Sequence, residues 1–218
     1  MAEPQQPVRM DVFSDVACPW CFVGMRNLQA ARDAWAGPPP EIHWRAFQLQ
    51  PDHPPRGVPF RELIETKFGG QERYDQMTAH LISVGAEAGI PFALDRIAVS
   101  PNTRLAHGVI AGARGTGADE AVVDALFTGY FCEGVDITDP EAVVALLERH
   151  VAIDGAAALV ADAAAGRYDA QVDADLAIGA EIGVQAVPVF VADGVRGIVG
   201  AQPPSAIAQL MAGDFAAA

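Results

Sequence analysis

Two cysteines separated by two residues stand where a predicted strand is followed by a helix, and this feature most constrains the fold. Residues 8–15 alternate apolar and polar side chains and are rich in β-forming types, so they predict a buried strand. Apolar residues at helical spacing over 22–35 predict a helix. The intervening Cys18-Pro19-Trp20-Cys21 therefore lies at a helix N-terminus directly after a strand, which is the context expected for redox-active cysteines.

The position of Cys18 favours its thiolate form. The N–H groups at a helix start are unpaired and the helix dipole is positive there, so the pKa of Cys18 is expected to be lowered. Pro19 suits the first turn because that position needs no N–H donor. Cys21, one turn later, can reach Cys18 and can resolve a mixed disulfide between Cys18 and a substrate.

Two other interpretations of the cysteine pair stay open. A C-x-x-C can supply half of a zinc site, but zinc usually takes four ligands. Cys132 is the one further cysteine, and there is no second C-x-x-C or close pair of histidines, so no metal site is expected. The two cysteines can also be inert, because cysteine is often buried. The strand-then-helix context favours the redox interpretation.

The rest of the chain divides into a helical middle and two mixed ends. Residues 41–49 predict a second strand, and six helices follow with no strand signal between them. A helix over 169–182, a hairpin centred on Asp193-Gly194 and a helix over 203–211 complete the chain.

This order, β-α-β, helical block, α-β-β-α, predicts an α/β thioredoxin fold with a large all-helical insertion. The expected domains are residues 8–51 plus 169–215, which form the thioredoxin fold, and residues 52–168, which form the insertion. The insertion is too long for an ordinary loop, so its helices must bury their apolar faces against each other and the sheet.

Composition excludes several classes of protein. With 51% apolar and 19% charged residues among 218, the chain is not intrinsically disordered. A formal net charge of −14 argues against binding to nucleic acid or to anionic membranes. No stretch is apolar enough to span a membrane, and the first residues lack the basic start and apolar run of a secretory signal. If this N-terminus is native, a cytoplasmic protein is expected.

A second feature is the pair Val187-Pro188 ahead of an apolar run. A proline is tolerated at the start of a strand, and an X-Pro bond there can be cis. Spacing alone favours a plain strand-start proline. The presence of the redox motif in the same chain reverses that preference.

Several motifs together resemble the DsbA-like branch of the thioredoxin superfamily, and within it the FrnE-like proteins. They are F-S-D-V-A-C-P-W-C-F-V-G at 13–24, F-Q-L-Q-P at 47–51, N-T-x-x-x-H at 102–107, G-V-x-x-V-P-V-F at 183–190 and G-A-Q-P at 200–203. The resemblance implies that Cys18 is the nucleophile and Cys21 the resolving thiol. It also implies a cis Pro188 facing the disulfide, with the backbone of Val187 offered to an extended substrate. The substrate is expected to be a thiol or disulfide, either protein or small molecule.

Other residues are expected near the substrate. Pro19 and Trp20 flank Cys18, and Trp20 and Phe22 are expected to be partly exposed. The resemblance suggests that the segment with Asn102, Thr103 and His107 lines the groove above the disulfide. The alternative from the residues alone is a helix cap at Asn102 or Thr103 and a hydrogen-bonded, partly buried His107.

The main rival function is that of a glutathione-dependent isomerase or transferase of the kappa-type branch, such as 2-hydroxychromene-2-carboxylate isomerase. Members of that branch have Ser at the position of Cys18 and Asp-Arg at that of Gln202-Pro203, so both positions favour redox chemistry. No cofactor is expected beyond the redox-active disulfide, with glutathione or a thioredoxin-type protein as candidate reductants. The sequence leaves the oligomeric state undetermined.

Overall fold

The central sheet is built from the two ends of the chain. The computed structural model describes residues 6–214. Four strands, β1 (Arg9–Ser14), β2 (Glu41–Ala46), β5 (Val189–Ala192) and β6 (Arg196–Val199), form one sheet in the order β2-β1-β5-β6. The β1–β2 pair is parallel, and the β1–β5 and β5–β6 pairs are antiparallel.

The register of the sheet decides where the redox motif lies. Phe13, near the end of β1, pairs with Val189, the first residue of β5. The chain leaving β1 and the chain entering β5 therefore meet at the same edge of the sheet. This pairing brings Cys18 beside Val187 and Pro188, although they are far apart in sequence.

Helices cover both faces of the sheet. On one face lie α1 (Pro19–Asp33) and α9 (Pro204–Ala212), which pack against each other. On the other face lies α8 (Asp169–Glu181), where Gly179 approaches the ring of Phe13. Val12 and Phe13 point to opposite faces of the sheet, and both are buried because helices cover both faces. Every residue of β1 after Arg9 is buried, including the polar Asp11 and Ser14.

The insertion is mainly helical. Its helices are α2 (Phe60–Leu63), α3 (Gln71–Glu87), α4 (Arg104–Ala113), α5 (Asp119–Thr128), α6 (Pro140–His150) and α7 (Ala156–Ala164). Two π-helical turns follow α2 and α5, over Ile64–Phe68 and Gly129–Glu133, and a 3₁₀ turn spans Leu94–Arg96. No helix within 6–214 is long and apolar enough to cross a membrane.

The insertion also contains a small antiparallel ladder between β3 (Val58–Pro59) and β4 (Val99–Ser100). The sequence predicts no strand in this region, and that prediction is wrong for these two short segments. Two residues are too few to show the apolar–polar alternation by which a strand is recognised. The ladder ties the loop after β2 to the segment before α4, on the side of the molecule that carries Cys18.

Insertion and sheet share one apolar core. Phe22 of α1 stacks on Phe127 of α5 with ring centroids 5.2 Å apart and planes 4° apart. Phe22 is therefore fully buried, and the expectation that it is partly exposed is wrong, because α5 covers this face of α1. Trp20 is 36% exposed, in agreement with the expectation. The two-domain division stays a prediction.

Candidate active site

Cys18 occupies the N-cap position of α1. Its backbone is extended, Pro19 follows in the first turn, and the Cys18 N–H donates to the Asp15 carbonyl at 2.9 Å. The N–H of Cys21 donates to the Cys18 carbonyl at 3.0 Å, which closes the first turn. The Cys18 thiol donates to the backbone carbonyl of Val187, with 3.7 Å between sulfur and oxygen. The Cys18 sulfur, at the start of α1, is therefore in contact with the segment that leads into β5.

The two thiols of the motif have opposite pKa shifts. A hydrogen bond from the Cys21 thiol lowers the pKa of Cys18, and the N–H groups of Cys21 and Trp20 lower it further, against burial and the charge of Asp15. Burial raises the pKa of Cys21 well above its usual range, and its hydrogen bond to Cys18 adds to that shift. The direction for Cys18 agrees with the sequence analysis. The largest contribution, however, comes from the Cys21 thiol and not from the helix N-terminus.

The peptide bond between Val187 and Pro188 is cis. Pro188 lies against α1 at Gly24, where an added Cβ would be 3.0 Å from the Pro188 Cγ and 3.2 Å from the Phe190 Cζ. Such contacts are tighter than nearly all those that real Cβ atoms make, so Pro188 and Phe190 would have to shift by a few tenths of an ångström. Gly24 therefore lets the helix that carries both cysteines lie directly against the proline loop.

Asp15 is a buried acid at the site that is not among the site residues predicted from the sequence. It is 0% exposed, and its carboxylate accepts the N–H of Leu49 at 2.6 Å and that of Ala17 at 3.3 Å. Its charge raises the pKa of Cys18. An acid directly after an apolar strand and three residues before a candidate nucleophile was the available sequence signal. Only the fold shows that it also holds the chain after β2 in place.

The residues predicted as substrate contacts at the start of α4 make hydrogen bonds within the protein or are buried there. His107 Nε2 lies 2.8 Å from the Phe47 carbonyl and 3.5 Å from Asp15 Oδ1. Asn102 donates to the His53 carbonyl at 2.6 Å and accepts the Arg104 N–H at 3.0 Å. Thr103 is buried at the start of α4. These bonds match the structural alternative, and a role of Asn102, Thr103 and His107 in substrate contact stays a prediction.

A cavity of about 260 Å³ opens beside Cys18, between the start of α1 and the insertion. We call it the apolar cavity. Pro19 and Trp20 line it next to the nucleophile, and its far walls are mostly apolar side chains from α2, α3 and the segments around them, including Phe60, Leu63 and Leu81. The predicted substrate residues Pro19, Trp20 and Val187 are thus gathered around Cys18.

The third cysteine stands apart from the pair. Cys132 lies in the π-helical turn after α5, and burial raises its pKa. All three cysteines are free thiols in the structure. Within residues 6–214 no three His, Cys, Asp or Glu side chains are grouped as a metal site requires.

The solved structures that resemble this one include proteins named as disulfide oxidoreductases or reductases and a protein named as an isomerase. A probable DsbA oxidoreductase of Streptomyces coelicolor is 28% identical, with a TM-score of 0.83 over 97% of this chain and 92% of that chain. The cytosolic disulfide reductase DsbM of Pseudomonas aeruginosa shares the fold at 16% identity, with a TM-score of 0.64 over 94% and 93% of the two chains. A 2-hydroxychromene-2-carboxylate isomerase shares it at 16% identity, with a TM-score of 0.68 over 88% and 89%.

Sequence comparisons identify a relative and a family for this chain. The Bacillus subtilis protein YwbO is 27% identical over 184 residues, which are 84% of this chain and 86% of that protein. The family model for the DSBA-like thioredoxin domain matches residues 9–212, which include both cysteines, the cis proline and the whole insertion. The chain therefore belongs to the family of DSBA-like thioredoxin domains.

Proposed function

We propose that this protein is a thiol–disulfide oxidoreductase in which Cys18 attacks and Cys21 resolves. The observation that carries the proposal is the asymmetry of the pair. Cys18 has a lowered pKa and faces the apolar cavity, whereas Cys21 is fully buried with a raised pKa. The thiolate is the reactive form of cysteine, so the first attack falls to the thiol that ionises more easily and is reached from outside.

The proposed reaction balances within the pair and one substrate disulfide. The Cys18 thiolate attacks one substrate sulfur, the substrate S–S bond breaks, and the leaving thiolate takes up a proton. Cys21 then loses its proton and attacks the Cys18 sulfur, which releases the second substrate thiol and leaves a Cys18–Cys21 disulfide. Two electrons pass from the dithiol to the substrate. The reverse sequence oxidises a dithiol substrate.

Single cysteine variants test this assignment. Cys18→Ser should abolish reduction of insulin or of 2-hydroxyethyl disulfide, because no attacking thiolate remains. Cys21→Ser should accumulate a mixed disulfide at Cys18, detectable by mass spectrometry of the intact protein. Cys132→Ser serves as the matched control and should keep wild-type rates. Wild-type activity of Cys18→Ser would refute the proposal.

A second candidate is a glutathione-dependent isomerase, which the shared fold with a 2-hydroxychromene-2-carboxylate isomerase supports. In that function glutathione would supply the reacting thiol, so Cys21→Ser should not affect turnover. Cys18 in place of Ser, and Gln202-Pro203 in place of Asp-Arg, argue against it. Glutathione-dependent isomerisation that survives in Cys21→Ser would favour this candidate over the oxidoreductase.

The motifs and the comparisons also support a branch of the family, a location and a reductant for this protein. The motifs around Cys18 and Pro188 support membership of the FrnE-like branch. A cytoplasmic location is supported by the shared fold with DsbM, a protein named a cytosolic disulfide reductase. A structure of DsbM with glutathione supports glutathione as a candidate reductant of the Cys18–Cys21 disulfide, beside a thioredoxin-type protein.

A further inference from the structure

The apolar cavity is large enough to hold a ring-sized group next to the nucleophile. Its volume is about 260 Å³, whereas a cavity of about 150 Å³ in another protein already takes up benzene. Phe60, Phe68, Leu81 and Phe131 contribute to its walls, and Cys18 lines it as well. An apolar group bound there would sit within reach of the sulfur that attacks.

The charge of the cavity differs from that of the protein. The chain has a formal net charge of −14, yet no carboxylate from residues 6–214 lines the cavity. Burial raises the pKa of Tyr74, in its wall, to about 12, so this phenol stays neutral at physiological pH. Burial likewise keeps the phenol of Tyr130 neutral by raising its pKa. Apart from the reacting thiolate of Cys18, the wall thus carries no negative charge in a strongly acidic protein.

One cation stands at the cavity. Lys67, in the π-helical turn after α2, is the sole lysine in the sequence and the one cationic side chain among the described residues that line the cavity. None of the ion pairs formed within the described part of the chain involves it. Lys67 is an exposed residue, so its side chain can pair with an anion on a bound molecule.

We propose that the substrate of Cys18 is a small disulfide or thiol with a ring-sized apolar body and a carboxylate, the body filling the apolar cavity and the carboxylate pairing with Lys67. This inference rests on the proposed oxidoreductase function and adds a substrate class to it. For a disulfide substrate the reaction is the one given above, and the substrate thiolate that leaves takes the electron pair of the broken S–S bond. For a thiol substrate the sequence runs in reverse: two substrate thiols are joined in a disulfide, and the Cys18–Cys21 disulfide accepts the two electrons.

Two disulfides that differ in charge but share a ring provide the test. 4,4′-Dithiobis(benzoate) and 4,4′-dithiobis(benzamide) are each reacted in a single turnover with the reduced full-length protein. Each rate is divided by the rate of the same reagent with N-acetylcysteine at the same pH, which removes the intrinsic difference between the reagents. The wild type should favour the benzoate by about three- to fivefold, the size of effect expected from a partly exposed ion pair.

Substitutions assign this preference to the cavity. Lys67→Gln should bring the benzoate-to-benzamide ratio to about one, and Lys67→Glu should reverse it. Arg61→Gln, which removes an exposed cation of α2 outside the cavity, should leave the ratio unchanged. Thr78→Phe adds a ring to the cavity wall and should slow both aromatic reagents by about tenfold relative to 2-hydroxyethyl disulfide, as expected from lost apolar burial.

The outcomes separate the substrate class from the function. If 2-hydroxyethyl disulfide oxidises the pair through Cys18 but the benzoate has no advantage, or keeps it in Lys67→Gln, the substrate class is wrong and the oxidoreductase function stands. If insulin disulfides react faster than the benzoate after the same correction, the cavity serves a protein substrate and the inference is likewise overturned. If no disulfide oxidises the Cys18–Cys21 pair, the oxidoreductase function itself fails.

Discussion

Replacing Asp15 with Asn should make Cys18 more reactive and the protein less stable. The buried carboxylate accepts the Leu49 N–H at 2.6 Å and the Ala17 N–H at 3.3 Å, one on each oxygen. An amide of the same shape has a single acceptor oxygen, so one of these charge-assisted bonds is lost. The free energy of unfolding should fall by about 1.5–3 kcal/mol. For a chain of this size that corresponds to a drop in Tm of about 3–12 °C.

The same substitution removes the negative charge that raises the pKa of Cys18, so this pKa should fall below its wild-type value. A larger fraction of Cys18 is then thiolate at pH values below the wild-type midpoint, and alkylation there becomes faster. The assay is iodoacetamide labelling against pH on the reduced protein, with the modified cysteine identified by mass spectrometry. Cys18 should be labelled ahead of Cys21 and Cys132 throughout.

Asp175→Asn is the matched control. Asp175 is also a buried acid, and it accepts hydrogen bonds from the Arg45 side chain at 2.9 Å and from the Ala46 N–H at 3.2 Å. It is not among the groups that shift the pKa of Cys18. This variant should lose stability while the Cys18 titration stays in place. An unchanged or raised Cys18 midpoint in Asp15→Asn, or an equal shift in the control, would refute the electrostatic argument.

Two further predictions concern the packing and protonation of the site. Gly24→Ala should lower the free energy of unfolding, measured in urea, by up to about 2 kcal/mol. Overpacking against Pro188 costs about 1–3 kcal/mol, and the higher helix propensity of Ala offsets about 1 kcal/mol of that cost. A stabilised variant would show that the proline loop is free to move away. The reduced protein should lose stability above about pH 8.5, because Cys21 has a raised pKa in the folded state and ionises near that pH when unfolded. Its neutral buried thiol therefore contributes stability fully below that pH and progressively less as pH rises towards its folded pKa. Cys21→Ala should flatten this alkaline slope, and an unchanged slope would show that Cys21 is not its source.

Much of the fold could be predicted because its signals are local. Alternation over 8–15, helical spacing after Cys21, the Asp193-Gly194 turn and the chain order together indicate a thioredoxin fold with an inserted helical block. The turn has positive φ at both residues, as a tight hairpin of this kind requires. The β3–β4 ladder could not be predicted, since strands of two residues leave no periodic pattern.

The site was predictable only in part. Cys18 and Cys21 can be recognised by their spacing and by their position after a predicted strand. Both signals depend on neighbouring residues alone. The contact of Cys18 with the Val187 carbonyl depends instead on the pairing of β1 with β5, which joins distant parts of the chain. The burial of Phe22 likewise depends on α5, whose position no local pattern specifies.

The sequence by itself therefore determined the order of the elements, the redox motif and the acidic character of the chain, because each is a property of adjacent residues or of composition. The tertiary structure alone decided the raised pKa of the buried Cys21, the role of Asp15 and the cavity beside Cys18. Those three depend on desolvation and on short distances between groups far apart in sequence. Lys67 is an example. The sequence shows that it is the sole lysine, but only the folded structure shows that it lines the same cavity as Cys18.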